Sequence, residues 1–334
     1  MIAVVFAVTF TLMLVRSTSR FQTRATLAVL AVSFAVAAGL RTGGFDYDEY
    51  IELIETLRSN QELEYAVRLY VAKDPLFLAF IDATNLFGLA DSASVLLLFA
   101  VASLACRYFS ALPLGRWAVV YLGTFILLLA PALELAAMRA GLAISLLVCA
   151  FAYRQSVWVR APLAILATLS HISVLPAAIL LIFGRIWNSR VSILALSSVA
   201  AALTLVGTNF LADLVRAEGL TNNRGNLTAL LFPTITVLIL AAQLRLTRAS
   251  DIRVHALAGL FVALSLGTVL PAVTISIRLL EIGWCLMHYG MFADLQAPEN
   301  QRIQKPLKST LGAFLSMLVL ANLLRNTWVA ALAL

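Results

Sequence analysis

The feature that most constrains this chain is a series of apolar runs that recur along its whole length. Most runs are about 15–20 residues long, close to what an α-helix needs to cross a bilayer. Hydrophobic residues make up 62% of the 334 positions and charged residues 12%, with a mean hydropathy of +0.95. A soluble protein of this size needs more polar surface, and the runs lack the alternation typical of membrane β-strands. The sequence therefore predicts an all-α, polytopic helical membrane protein.

The apolar runs predict about twelve transmembrane helices in a single integral membrane domain, 1–334. They lie at 1–15, 25–40, 92–108, 117–130, 138–154, 161–171, 173–184, 191–207, 229–244, 255–271, 274–292 and 310–328. The first run is expected to be a retained span, because no small-residue cleavage site follows it. The run 75–88 is short and carries Asp82 and Asn85, so it is predicted to be a half-helix embedded from one side.

Basic residues collect in alternate loops. The loops around 16–24, 107–116, 154–160, 185–190, 245–253 and 302–308 hold fifteen of the 24 basic residues and only three acids, Asp251, Asp294 and Glu299. The positive-inside rule places these loops in the cytoplasm. The segments 41–74 and 208–228 are then periplasmic loops. Membrane orientation accounts for the net charge of +7, so no nucleic-acid partner is indicated.

The periplasmic segment 41–74 begins with a polar motif and continues with apolar residues at helical spacing. These apolar residues are Tyr47, Tyr50, Ile51, Ile54 and Leu57. The spacing predicts an amphipathic helix over 46–70 at the membrane surface. Asp46 follows two glycines and has Glu49 three residues later, so it is either a helix cap or a functional carboxylate. Asp48 and Glu49 are expected to be solvated.

Lys73, Asp74 and Pro75 end this segment. Asp followed by Pro is typical of a helix start, with the carboxylate as the cap. A carboxylate fixed in this way is also a rigid hydrogen-bond acceptor, so capping and a functional role are compatible.

Arg139 and Arg278 lie within apolar runs, where a guanidinium is costly and indicates a functional site by default. The structural alternative is an ion pair, with Glu134 for Arg139 and with Glu281 for Arg278. His171 lies between the two short runs 161–171 and 173–184. These runs predict a thin hairpin whose tip is sunk below the outer surface. A structural role for this histidine is equally compatible with the sequence.

The sequence shows no motif for several other kinds of functional site. The Asn-rich stretch 221–226 is typical of an ordinary turn. Cys106, Cys149 and Cys285 lie in apolar runs without paired spacing, so neither a disulfide nor a thiolate metal site is predicted. The sequence contains no nucleotide-binding loop and no zinc helix motif.

Read in order, the candidate residues resemble a family signature. The matching motifs are Arg41-x-x-Gly44-x-Asp46-Tyr47-x-x-Tyr50, Lys73-Asp74-Pro75-x-Phe77, Arg139-x-Gly141-Leu142-Ala143, His171-x-Ser173 and Arg278. They resemble the EpsG family of Wzy-like exopolysaccharide and O-antigen polymerases over roughly residues 1–290. The chain departs from the family pattern at Ala140, where Gln is frequent, and at Ile172, where a basic residue commonly follows the histidine.

The resemblance implies an inner-membrane polymerase with a fold similar to the GT-C glycosyltransferases and an active site facing the periplasm. It implies transfer of a growing glycan from undecaprenyl diphosphate to a lipid-linked repeat unit. The other partners implied are membrane lipid and, in the same pathway, a chain-length regulator and a flippase. The alternatives are a lipid-linked oligosaccharide flippase, an O-antigen ligase, or another polyprenyl-phosphate-dependent GT-C enzyme.

This chemistry assigns roles to the candidate residues. Negative charge grows on the departing diphosphate, so Arg139 and Arg278 are predicted to bind it, assisted by Arg41 or Lys73. The acceptor hydroxyl must lose a proton to a base. The candidates for the base are Asp46, Asp74 and His171. Asp46 is ranked first, because the glycines that precede it leave room for a sugar. Tyr47 and Tyr50 are predicted to contact the sugar. No cofactor and no metal are expected; if a metal is used, Asp46 and Asp74 are its predicted ligands.

Overall fold

The computed structural model describes residues 1–14, 19–44, 46–89, 91–183, 227–247, 252–268 and 273–325. These residues form α-helices joined by short turns, and none of them lies in a strand. The helices are α1 (Ile2–Leu14), α2 (Arg20–Gly39), α3 (Tyr47–Ser59), α4 (Tyr65–Ala72), α5 (Pro75–Leu86), α6 (Ser92–Ala111), α7 (Ala118–Leu128), α8 (Ala130–Leu133), α9 (Met138–Ala152), α10 (Val157–Ser170), α11 (Leu175–Phe183), α12 (Leu227–Leu246), α13 (Ile252–Gly267), α14 (Val273–Gln296) and α15 (Gln304–Leu324). The all-α prediction is confirmed.

The helices begin and end close to the bounds of the predicted spans. Among the residues that the structure describes, three helical stretches are long and apolar enough to cross a membrane, at Arg20–Gly39, Ser92–Leu128 and Pro298–Leu324. Shorter apolar helices cover the predicted spans at 1–15, 138–154, 161–171, 173–184, 229–244 and 255–271. The span 191–207 and nearly all of the loop 208–228 lie outside the described residues. The count of about twelve spans stays a prediction.

The segment predicted as one amphipathic helix over 46–70 forms two helices. Its first part, α3, buries Tyr50, Ile54 and Leu57 on one face, as the apolar spacing predicts. At the end of α3, the backbone N–H and the side-chain amide of Asn60 both donate to the Thr56 carbonyl (3.2 and 2.8 Å). A turn over 60–64 separates α3 from α4.

The helix α5 occupies the segment predicted to be a half-helix. Its 12 residues extend only about 18 Å, less than the roughly 30 Å hydrocarbon core of a bilayer. The Arg68 guanidinium of α4 forms an ion pair with Asp82 of α5. The ion pair places the one carboxylate of this apolar helix against a cation.

The contacts divide the chain into a first unit, 1–183 and 322–334, and a second unit, 184–321. The single domain predicted for 1–334 stays a prediction. In the first unit, α6 packs between α2 and α9, and α9 packs on α10. The helices α2 and α6 meet at Gly39, where an added Cβ would lie 2.5 Å from the Leu97 Cα. Only a residue without a side chain allows this approach.

In the second unit, α13 packs along α14. A buried polar cluster connects the second unit's helices around Asp294, near the end of α14. The Gln243 amide donates to Asp294 Oδ2 (2.8 Å), and the Thr247 hydroxyl and His255 Nε2 lie 3.0 and 3.2 Å from the same oxygen. The prediction that Asp294 lies in a loop is wrong, because Asp294 belongs to α14 and its side chain is fully buried.

Candidate functional site

The centre of the candidate site is an ion pair between Arg139 and Asp74. Arg139 Nη1 lies 2.9 Å from Asp74 Oδ2 and also donates to the Ala72 carbonyl at 2.9 Å. The Asp74 side chain is 5% exposed and that of Arg139 is 22% exposed. Both contacts use Nη1, so the guanidinium is fixed on one side and retains solvent access. The alternative pairing of Arg139 with Glu134 is wrong, because Asp74 is the carboxylate that it contacts.

The local backbone explains the position of Asp74. Asp74 precedes Pro75 at the start of α5, as predicted, but its side chain makes no capping hydrogen bond. The preceding residue, Lys73, ends α4 with a φ of 65°, a conformation that residues other than glycine rarely adopt. Such strain persists where surrounding contacts hold the backbone, and it is frequent at functional sites.

His171 lies beside the same carboxylate. It follows α10 and precedes a short 3₁₀ turn, Ile172–Val174, so the predicted break between two short helices is confirmed. His171 Nδ1 lies 3.6 Å from Asp74 Oδ1, and its side chain is 31% exposed. The adjacent Ser170 hydroxyl donates to the Arg139 carbonyl (3.0 Å). The hairpin tip is therefore attached to the beginning of α9.

Two aromatic rings stand beside the Arg139 guanidinium. Its Cζ lies 5.6 Å from the ring centre of Tyr50 and 5.4 Å from that of Phe77. The two rings are tilted against each other, with their centres 6.0 Å apart. Cations are attracted to aromatic faces at such distances. Tyr50 and Phe77 thus contribute to holding the arginine in place.

A cleft of about 280 Å³ opens beside this ion pair. It is lined by Asp46, Glu49, Tyr50, Leu53, Val71, Lys73 and Arg139. Asp46 stands at the start of α3, as predicted, but makes no side-chain capping hydrogen bond there. The structure therefore brings Asp46, Tyr50, Lys73 and Arg139 to one cleft. Asp74 contacts Arg139 of this cleft, and His171 lies beside Asp74. No group of three or more potential metal-binding side chains occurs among the described residues.

Arg41 does not line the cleft and is buried. Its Nη1 donates to the carbonyls of Ala38 and Glu134, both at 3.0 Å. Burial lowers the pKa of this guanidinium, and four neighbours oppose the shift: Tyr50, Glu134, Tyr47 and Asp46. Arg41 thus interacts electrostatically with Tyr47, Tyr50 and Asp46, three residues that the sequence predicts to belong to the site.

Sequence reasoning missed a buried polar chain behind this site. Ser103 donates to Glu134 Oε1 (2.6 Å) and shares a hydrogen bond with Ser145 (2.8 Å). The Arg107 Nε donates to Ser145 Oγ (2.8 Å), and its Cζ stands 4.1 Å from the ring centre of Phe125. The prediction that Arg107 begins a loop is wrong, because Arg107 lies inside α6 and is fully buried. The available signal was the spacing of Ser103 and Arg107 by four residues in one apolar run.

Arg278 belongs to the second unit. Its Nη1 lies 3.2 Å from Glu281 Oε2, which confirms the ion pair considered as the structural alternative. The Arg278 side chain is 34% exposed and Glu281 is buried. The pair forms on one face of α14, since the two residues are three positions apart. The diphosphate-binding role of Arg278 stays a prediction.

Comparison with known proteins supplies the family. No curated protein and no solved structure matches this chain. The EpsG family model matches residues 24–286, a range that contains every candidate site residue from Arg41 to Arg278. With most of its length covered, the chain belongs to the EpsG family of Wzy-like polymerases.

Proposed function

We propose that the protein is a glycosyltransferase that polymerises lipid-linked oligosaccharide repeat units at the periplasmic face of the bacterial inner membrane. Family membership supports polysaccharide polymerisation in general. The observation that carries the finer assignment is the Arg139–Asp74 pair, which holds a partly exposed guanidinium at a cleft that Asp46 and Lys73 also line. The twelve spans, a GT-C-like fold and the periplasmic orientation belong to this proposal.

The cations of the cleft suit an anionic leaving group. During transfer, the bond from the sugar C1 to the diphosphate oxygen breaks, and its electron pair leaves with undecaprenyl diphosphate. Fixed positive groups lower the barrier by stabilising that charge. The open side of Arg139 and the exposed amine of Lys73 bind the diphosphate, because Asp74 and Ala72 occupy only Nη1. Buried Arg41 adds positive potential, since it interacts electrostatically with Tyr50 and Asp46 of the cleft.

The acceptor hydroxyl forms the new bond to C1 and gives its proton to a base. Asp46 is the base in this proposal, since it lines the cleft and is only partly buried. Asp74 would lose its ion pair with Arg139 if it accepted the proton, so it acts as a positioning residue for the guanidinium. His171 supports Asp74 from the other carboxylate oxygen. Tyr47 and Tyr50 contact the sugar.

Incubation of the purified protein with an undecaprenyl-diphosphate-linked repeat unit, followed by a ladder gel, tests the function. The wild type is expected to give a ladder, whereas Arg139→Ala and Asp46→Asn yield the single repeat. Matched controls are Arg302→Ala and Asp48→Asn, which remove the same charges from exposed positions outside the cleft. A full ladder from Arg139→Ala would refute the diphosphate role.

The same purified protein separates polymerisation from transport. A flippase moves the lipid-linked unit across reconstituted vesicles without joining two units. The proposal requires new glycosidic bonds in detergent solution, where no second compartment exists. Absence of any ladder, combined with transport in vesicles, would favour the flippase.

A further inference from the structure

A second cavity lies at the other end of α2 from Arg41. It encloses about 450 Å³, and the first turns of α2 and the segment before α7 line it. The residues that matter here are Arg20, Thr23, Arg24 and Leu27 of α2, with Gly115 and Arg116. Three of them are exposed arginines, and none of the described residues lining the cavity is acidic. The cavity is therefore strongly cationic.

Local structure fixes these arginines around one space. Ser19 and Gln22 form a reciprocal capping box, with hydrogen bonds of 3.1 and 3.2 Å, so α2 begins firmly at Arg20. Residues 20, 23, 24 and 27 then share one helix face. Across the cavity, the backbone turns at Gly115 with a φ of 54°, and Arg116 stands 5.5 Å from the Trp117 ring centre. Tryptophan at such a position is typical of the membrane interface.

An apolar groove of about 250 Å³ continues along the same helix. Its lining on α2 begins at Ala28, directly after Leu27 of the cationic cavity, and continues through Ala31 and Ala35. On the other side, α6 contributes Val101, Leu104 and Ala105. The groove is almost wholly apolar, and it lies one helical turn from Arg24.

We infer that the cavity and groove together bind one anionic glycerophospholipid, with its phosphate among Arg20, Arg24 and Arg116 and an acyl chain between α2 and α6. Basic pockets next to transmembrane helices are suited to anionic headgroups. A free phosphate would use the cavity but not the groove, and a zwitterionic lipid would lack the net charge that three arginines attract. The site lies about 30 Å from Arg41, the length of α2, so it is distinct from the cleft beside Arg139.

Lipid retention measures this binding. The purified full-length protein is incubated in detergent with equal amounts of phosphatidylglycerol and phosphatidylcholine, and bound lipid is counted by native mass spectrometry. The wild type should retain phosphatidylglycerol by about tenfold over phosphatidylcholine, given the attraction of each basic residue to anionic lipid. The variant Arg20→Gln/Arg24→Gln/Arg116→Gln should lose that preference. The control Arg302→Gln/Lys305→Gln/Lys308→Gln, with the same loss of charge, should keep it.

A second variant tests the groove separately. Ala28 is exposed, so Ala28→Trp adds a bulky side chain to the groove without disturbing the packing of α2. Phosphatidylglycerol retention is expected to fall several-fold in this variant, although every arginine remains. The inference is overturned if Ala28→Trp retains as much phosphatidylglycerol as the wild type, or if the two triple variants lose the preference equally. It is also overturned if inorganic phosphate displaces bound phosphatidylglycerol as well as added phosphatidylglycerol does.

Discussion

At the residue scale, the candidate site depends on which carboxylate pairs with which cation. The sequence identified Arg139 and Asp74 separately, but not their contact, because 65 positions separate them along the chain and neither motif encodes the partner. Glu134 is the nearer carboxylate along the chain, although a separation of five residues is poor for a pair on one helix face. In the structure, Glu134 accepts from Ser103 instead. Tertiary packing, not local spacing, determines the ion pair.

The different roles proposed for Asp46 and Asp74 predict different pH profiles. A general base must be ionised to accept a proton, so kcat falls at acid pH when the base is protonated. Asp46→Asn should lower kcat by about 10²–10⁴-fold and abolish that acid limb. Asp74→Asn should lower the rate, because Arg139 loses its ion-pair partner, but kcat should still fall at acid pH.

Initial rates of repeat-unit joining across a pH series check this prediction. Asp48→Asn serves as the matched control and should reproduce the wild-type profile. Loss of the acid limb in Asp74→Asn, with the limb intact in Asp46→Asn, would reverse the two assignments.

Glu134 should make the stability of the protein depend on pH. Burial raises the pKa of this carboxyl to about 7 from 4.5, despite the opposing effects of Ser103, Arg107 and Arg41. The folded protein therefore holds the proton more tightly than the unfolded chain does. The resulting stabilisation is complete below pH 4.5 and is lost as pH rises through about 7.

Thermal unfolding in detergent between pH 4.5 and 8 measures this effect. The wild-type Tm should decline across the range, whereas Glu134→Gln, which keeps the hydrogen bond from Ser103, should show a flatter profile. Parallel profiles for the two proteins would contradict the prediction.

At the element scale, apolar runs predicted the helices well and their interruptions poorly. The bounds of α6 and α9 follow from where the apolar residues begin and end, whereas α2 begins five residues before its apolar run, at the capping box of Ser19 and Gln22. The apolar pattern does not reveal the turn over 60–64, because the turn contains no glycine or proline, and Asn60 is its one residue that is frequent in turns. The Asn60 side chain donates to the Thr56 carbonyl at this end of α3.

The contact between α2 and α6 should not tolerate a side chain at Gly39. In Gly39→Ala, the new Cβ would clash with the Leu97 backbone, so the two helices must separate. We expect a loss of about 1–3 kcal/mol, which is typical of overpacking. Gly312→Ala is the matched control, since nothing lies within 4 Å of the added methyl group. Thermal unfolding of both variants, side by side, checks this; equal Tm values would contradict the close approach.

At the scale of the whole molecule, the loop charges predict the orientation in the membrane. The count included Arg107 and Asp294, which the structure buries within helices. A charge near the end of an apolar run looks the same in the sequence whether it faces water or a buried partner. The predicted orientation stays the same without these two residues, because their charges are of opposite sign and the remaining basic residues still dominate the same loops.

The orientation predicts opposite labelling of two exposed positions. In a background with the three native cysteines replaced by alanine, Glu62→Cys should react with a membrane-impermeant maleimide added to spheroplasts. Gln155→Cys, between α9 and α10, should react only after the membrane is opened. Labelling of Gln155→Cys in intact spheroplasts, with Glu62→Cys protected, would invert the topology.

The buried position of Arg107 has a consequence for biosynthesis. Its hydrogen-bond partners Tyr121 and Ser145 are translated after it, on α7 and α9. A nascent chain that released α6 alone into lipid would expose an unpaired guanidinium to hydrocarbon, at considerable cost. We therefore expect α6, α7 and α9 to enter the bilayer together, so that the Arg107 guanidinium meets Tyr121 and Ser145 before it meets lipid.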